Sequence, residues 1–259
     1  MISHLLLDIE GTTCPVSFVS DILFPYASKQ LQTYIERNYR DPDIRDILQN
    51  VIEEHNQDHN WLNGESTRPL IRDPGEDLPA ISNYLKHLIN IDKKSTALKD
   101  LQGRIWNDGY ARGEIVSTLF PEATACLKEW KTIGLTLAVY SSGSIKAQQL
   151  LYQHTTSGNL KPLFSHWFDT HTGPKKESRS YSQICKKMQA KPDSVLFISD
   201  SSEECDASNG AGLQTLFSKR KNNPNLHNNG HRSIENLTEA THYIQENNTQ
   251  PTSTGQQST

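Results

Sequence analysis

MISHLLLDIEGTT, residues 1–13, opens the chain and decides how the rest is read. Residues 2–9 are a short, nearly continuous apolar run ending on acids and a glycine, the pattern of a strand covered on both faces of a parallel sheet. Such a strand delivers Asp8 and Glu10 to the carboxyl edge of the sheet. Two positions apart on extended chain, the two side chains face the same way, and Gly11 allows a sharp turn beyond them. Taken alone, an acidic pair before a glycine is more often a solvated strand end or a helix cap. Its meaning depends on what else reaches that edge.

Working outward, a long helical stretch follows. Ile44, Ile47, Leu48, Val51 and Ile52 share one helix face, and Ile81, Leu85, Leu88 and Ile89 another. Residues 60–79, rich in Asn, Gly, Pro and charge, read as a connecting loop. With no strand pattern before about residue 135, the stretch predicts a second, all-helical domain inserted after the first strand. From Pro121 the elements alternate. A helix over 122–133 stops at Gly134, a strand over 135–140 runs into SSGS, and a helix continues to Leu151. The segment 164–169, a helix over 177–188, a strand over 195–199, a further helix and a short strand over 213–217 complete a doubly wound α/β order. From Asn247 the chain is Asn, Gln, Ser and Thr, which predicts a disordered tail over 247–259.

Bulk properties narrow the function classes. The 259 residues suffice for one enlarged α/β domain or for two domains, and 26 basic against 30 acidic residues leave a net charge of −4. Nothing in that balance draws the protein to nucleic acid or to an anionic membrane. Cys14, Cys126, Cys185 and Cys205 form no CxxC pair and read as reduced, packed thiols. The opening apolar run is too short for a signal peptide and no stretch is long enough to span a bilayer, so the expected location is the cytoplasm, with the nucleus as a second possibility.

Three further pieces stand at predicted strand ends, where open parallel sheets bind ligands. SSGS, residues 141–144, offers hydroxyls and helix N-terminal N–H groups to an anion. GPKKE, residues 173–177, brings two lysines that charge alone does not separate. FISDSSEECDA, residues 197–207, ends a strand on Asp200 with Glu203, Glu204 and Asp206 behind it, oxygen donors suited to a hard cation. Each piece has an ordinary explanation as a cap, a surface lysine or an acidic helix start. Four such pieces at one sheet edge do not, and together they make the parts list of a phosphoryl-transfer site.

In that order the pieces resemble the motifs of the haloacid dehalogenase superfamily over residues 1–240. More closely, DIEGTTCPVSFVSDILFPYA (8–27), LQGRIWNDGYARGEI (101–115) with LFPEA (119–123), YSSGSIKAQQLL (140–151), FDTHTGPKKESRSY (168–181) and LFISDSSEECDA (196–207) are similar to the enolase-phosphatase E1 family of methionine salvage. The resemblance implies a Rossmann-like core of 1–14 and 121–246 carrying a helical cap over 15–120, and one Mg2+ per chain. It implies a bifunctional reaction on 2,3-diketo-5-methylthiopentyl 1-phosphate, enolised and then dephosphorylated to the acireductone 1,2-dihydroxy-3-keto-5-methylthiopentene. Carried over residue by residue, Asp8 is the nucleophile and a metal ligand. Glu10 ligates the metal through its main-chain carbonyl while its side chain does acid–base work. Ser141 and Ser142 hold the phosphate, Lys175 bridges phosphate and Asp8, and Asp200 completes the metal site; Lys176 falls outside the pattern.

The sequence departs from the family pattern at Thr172 and Pro174, which flank the motif glycine, and at KRKNNPNLHNNGH (219–231), looser than the usual Arg-Pro-Gly-Asn turn and read as a polar surface loop. Trp106 and Tyr110 are candidates either for reading the methylthio end of the substrate or for cap core. The expected partner is the small phosphorylated diketone, and the chain is expected to be a monomer. Two alternatives stand beside this reading: another cap-bearing, Mg2+-dependent phosphatase of the superfamily, or a non-catalytic scaffold with the same fold.

Overall fold

In the computed structural model the described residues are 1–62, 68–75, 77–91, 93 and 95–249. The chain divides into two compact units, one made of Met1–Val16 and Val116–Thr259, the other of Ser17–Ile115. The sequence reading set these junctions at 14/15 and 120/121. Residues 116–120 fall with the first unit because Ser117 N–H donates to His154 O (2.8 Å) and Phe120 N–H to Thr13 O (3.0 Å).

The first unit is built on a six-stranded parallel sheet. Its strands are β1 (His4–Leu7), β2 (Thr136–Tyr140), β3 (Phe164–Phe168), β4 (Val195–Ser199), β5 (Gln214–Ser218) and β6 (Ser233–Ile234), in the order β3-β2-β1-β4-β5-β6. β1 therefore lies at the centre, paired with β2 and β4 from far along the chain, which is why its Leu5, Leu6 and Leu7 are fully enclosed. β1 is shorter than the apolar run predicted, and β6 was not visible in the sequence; two residues are too few to show a period.

Taking helices in chain order, α1 (Phe24–Asn38), α2 (Pro42–Gln57), α3 (Leu78–Asn90) and α4 (Thr96–Ala111) belong to the second unit. The first unit carries α5 (Ala123–Thr132), α6 (Ile145–Gln153), α7 (Ser178–Met188), α8 (Ser202–Gly210) and α9 (Leu237–Thr249). Tyr181, Ile184 and Met188 of α7 pack with Ala207 of α8 on the sheet face that carries Leu6, Ala138 and Phe197. α5 and α9 are tied together where the Trp130 indole donates to Thr241 Oγ1 at 2.9 Å.

The tail expectation needs correction at its start. α9 runs to Thr249, and Asn248 closes on the other end of the chain, donating to Ile2 O (2.9 Å) and accepting from Ile2 N–H (2.6 Å). Its Asn-rich composition hid a helix whose last turn is held by these side-chain bonds. The remainder of the expected tail, residues 250–259, lies outside the described residues.

The second unit is all-helical among its described residues. Leu31, Ile35, Leu48, Val51, Leu85 and Leu101 form its centre, none more than 1% exposed. Each of three helices begins on a side chain that accepts from its own first turn: Asp41 from Ile44 N–H, Asp77 from Ala80 N–H, Ser95 from Leu98 N–H. The expected loop over 60–79 starts later than predicted, since a helical turn covers His59–Leu62. Residues 63–67 and 76 of that stretch are outside the described residues. Tyr110 is enclosed at 4% exposure, and the Trp106 indole donates to Leu23 O at 2.9 Å, so both side chains are tied into the packing of this unit. No helix among the described residues is long and apolar enough to cross a membrane.

Candidate active site

The register of the sheet brings the predicted motifs to one edge. Leu7 pairs with Val139 on β2 and with Ile198 on β4, so Asp8, Ser141 and Asp200 follow directly on the carboxyl ends of three adjacent strands. Asp8 N–H still belongs to the ladder, donating to Ile198 O at 3.0 Å, and Ser141 N–H donates to Phe168 O at 3.2 Å. Asp8 is 6% exposed and Ser141 4%, whereas Ser142 is exposed.

Lys175 arrives from the loop after β3. Tyr140 OH donates to Gly173 O (2.8 Å), Tyr181 OH to Lys175 O (2.6 Å), and Ser180 Oγ to Pro174 O (2.7 Å). The loop geometry that Thr172 and Pro174 left open is thus held by three hydroxyls. At Gly173, with φ +150°, a Cβ would lie 2.3 Å from Ser180 Oγ, so the close approach demands glycine. The Lys175 ammonium bonds Asp8 Oδ1 at 2.7 Å and Glu204 Oε2 at 2.7 Å. Burial would lower its pKa, but the charges and hydrogen bonds of Asp8 and Glu204 outweigh that and hold it above the ordinary lysine range. Lys176, by contrast, is exposed and pairs with Glu203.

The sequence shows Glu204 only as one of several acids behind Asp200, not as the partner of Lys175. Standing four residues beyond Asp200, on the first turn of α8, it turns back under the strand end, accepts from Ser199 Oγ at 2.8 Å and shares Lys175 with Asp8. Burial and then the Asp8 charge push its carboxyl up. The four-residue spacing on a helix start was the available signal, since it puts the side chain back over the preceding strand end.

Asp200 is partly buried, and burial, followed by the charges of Asp8 and Glu204, pushes its carboxyl up to about 7. Gly11, at φ +67°, leaves room for it: a Cβ there would lie 2.2 Å from Asp200 Oδ2. Glu10 lies on the same turn, partly buried, and its backbone bridges to Cys14. The Cys14 thiol is pushed up to about 12 by burial and by Glu10, so it stays protonated. All four cysteines are free and buried.

The site thus gathers Asp8, Asp200 and Glu204 around a single ammonium, an oxygen-rich set short of positive charge. That deficit fits a hard divalent cation. Among the described residues no three His, Cys, Asp or Glu side chains converge as a metal cage. A cation here would rest on Asp8 and Asp200, a main-chain oxygen and water, the sparse ligation that Mg2+ accepts.

Comparison with known proteins places the chain in a family. A family model described as haloacid dehalogenase-like hydrolase matches residues 2–212. The chain is 51% identical over 244 residues to "Enolase-phosphatase E1" of Parasynechococcus marenigrum (strain WH8102), covering 94% of this chain and 99% of that protein. It is 50% identical over 243 residues to the protein of the same name from Synechococcus sp. (strain CC9605), covering 91% and 95%. Among solved structures, the UTR4 protein of Saccharomyces cerevisiae superposes with a TM-score of 0.72 at 30% identity, over 91% of this chain and 98% of that one. An L-2-haloacid dehalogenase of Xanthobacter autotrophicus, at 16% identity and TM-score 0.54 over 95% and 99% of the two chains, shares the fold alone.

Proposed function

The chain belongs to the enolase-phosphatase E1 family of haloacid dehalogenase-like hydrolases, and on that premise we propose that it enolises 2,3-diketo-5-methylthiopentyl 1-phosphate and then removes the phosphate, releasing the acireductone of methionine salvage. The observation that carries the reading is the Asp8–Lys175–Glu204 cluster at the central strand end, beside Asp200. A buried carboxylate bonded to a lysine at a strand end is a nucleophile held in place and aimed.

In this mechanism the Asp8 carboxylate attacks phosphorus, the bond to the substrate's C1 oxygen breaks, and an aspartyl phosphate results. Water then attacks that phosphorus and returns Asp8. Lys175 neutralises charge on Asp8 and on the incoming phosphoryl oxygens, and Glu204 with Ser199 keeps the ammonium in place. Ser141 and the N–H groups opening α6 receive the phosphate, with Ser142 at the solvent side. One Mg2+ would be held by Asp8, Asp200 and the Glu10 carbonyl, and would supply Lewis-acid neutralisation of developing oxyanion charge.

Glu10 is the proposed base of the first step. From the turn that follows β1, its carboxylate takes the proton from the carbon bearing the phosphate and holds it, the C–H electron pair forming the C1–C2 double bond and the C2 oxygen taking a proton from water to become the enol. That proton then passes to the enol oxygen as it leaves phosphorus, so enolisation prepares the acid that dephosphorylation uses. The experiment mixes Glu10→Gln and Asp8→Asn with the diketo phosphate and Mg2+, following enol absorbance and phosphate together. Glu10→Gln should form no enol phosphate, whereas Asp8→Asn should accumulate it without releasing phosphate. Enol formation at the parent rate in Glu10→Gln moves the base elsewhere, and phosphate release near the parent rate in Asp8→Asn removes the covalent mechanism. With this reading goes a monomer acting in the cytoplasm; the bacterial origin of the relatives lends no support to the nucleus.

A further inference from the structure

The end of β5 and the Asn- and His-rich loop after it take no part in the chemistry above, yet their side chains include some of the most enclosed polar groups of the unit. Ser218, Arg220 and Asn223 are 0%, 7% and 7% exposed. All three donate to the same short piece of main chain, the turn that follows Asp8. Ser218 Oγ reaches Gly11 O at 2.8 Å and Asn223 Nδ2 reaches it at 2.9 Å, while Arg220 Nη2 donates to Thr12 O at 2.9 Å. Arg220 is itself anchored, donating through Nη1 to Glu122 Oε1 (2.6 Å) and Glu235 O (3.1 Å), with its guanidinium 4.0 Å above the Phe120 ring. The far end of the loop is tied to α8, where His231 and Asn229 both bond Asp206, at 2.7 and 2.8 Å.

The turn satisfies its own inner face. The N–H groups of Thr12, Thr13 and Cys14 converge on Ile9 O, and Gly11 N–H donates to Cys14 O at 2.8 Å. A buried carbonyl needs one donor to offset desolvation; the outward Gly11 carbonyl has two. The peptide plane that carries the Glu10 carbonyl is held by the Gly11 N–H bond to Cys14 O, and the next plane, between Gly11 and Thr12, by the two donors on Gly11 O. The turn that presents Glu10's main-chain oxygen is thereby held in place by Ser218, Arg220 and Asn223, and with it the spacing between Gly11 and Asp200.

We propose that Ser218, Arg220 and Asn223 are positioning residues for the phosphatase site, clamping the Gly11–Thr12 turn so that the Glu10 carbonyl and the Asp8 carboxylate stay directed at one cation and one phosphate. The inference rests on the function proposed above. It makes the loop that reads as polar surface a part of the site's framework, and it predicts coupling, because Ser218 and Asn223 serve one oxygen.

The test compares Ser218→Ala, Asn223→Ala and the double variant with Asn222→Ala, a loop position whose side chain is exposed. Three quantities are read: kcat and KM on the diketo phosphate, Mg2+ affinity of the substrate-free protein by calorimetry, and melting temperature. Each single variant should lose roughly threefold to tenfold in kcat, and the double variant more than the product of the two, as for neighbours sharing a partner. Mg2+ affinity should weaken in the same order, KM should stay within about twofold, and Asn222→Ala should match the parent. Parent kcat and parent Mg2+ affinity in the double variant below its melting transition, whatever its melting temperature, would reduce the clamp to packing. Should the double variant not fold, Asn223→Ala is judged on the same two quantities. A parent protein that turns over p-nitrophenyl phosphate but not the diketo phosphate would overturn the substrate while leaving the clamp to be judged on Mg2+ affinity and the aryl ester.

Discussion

Two adjacent lysines illustrate how much a side chain's surroundings decide. Lys175 is held between two carboxylates with 10% of its side chain exposed, and Lys176, next to it, is 63% exposed against Glu203. Lys175→Ala should lower kcat by at least about a hundredfold, the scale for removing a preorganised charge from a site, while Lys176→Ala should stay near the parent; steady-state kinetics of the pair checks this, and equal losses would show the motif misplaced. Glu204→Gln should cost less than Lys175→Ala, because Asp8 still anchors the ammonium; its kcat should fall between the parent's and that of Lys175→Ala. At this scale Asp8, Ser141, Lys175 and Asp200 were legible because each stands at a strand end or in the loop after one, where sequence order translates into position. Ser218, Arg220 and Asn223 were not. Their partners are main-chain oxygens some 200 residues earlier, and a carbonyl leaves no letter in the sequence.

Elements were readable where burial imposes a period. β1, β2 and β4 are near-continuous apolar runs because both faces of the sheet are covered, and the helices of the second unit show their apolar stripe every three or four residues. β6 is too short to carry such a signal, and the end of α9 is written in Asn and Thr, residues that read as coil until their hydrogen bonds are seen. The join between β1 and its following turn is the least tolerant point. Gly11→Ala would set a methyl group 2.2 Å from Asp200 Oδ2 at a positive φ, so both melting temperature and kcat should fall; a variant with parental values of each would mean that the turn has room the structure denies it. Leu6→Ala in the same strand should cost about 2–5 kcal/mol in denaturant unfolding, since Leu6 is fully enclosed between two neighbouring strands.

For the molecule as a whole, the buried carboxylates make stability depend on pH and on cation together. The folded-state value of about 7 for Asp200 lies above its ordinary 3.8, so the folded protein binds that proton more tightly. Without metal, stability should therefore fall as pH rises between about 4 and 7. Mg2+ requires the ionised form and should raise the melting temperature more at about pH 8 than at about pH 5; an equal rise at both would remove Asp200 from the metal site. The central place of β1 has a consequence of another kind, in the order in which the ribosome delivers the chain. β1 leaves the ribosome about 190 residues ahead of its partner β4, which at synthesis rates of roughly 5–20 residues per second is a wait of about 10 to 40 seconds. The unit Ser17–Ile115 is contiguous, so all of its helices are synthesised within that interval. The three leucines of β1, by contrast, stay without their strand partners until the sheet closes around them.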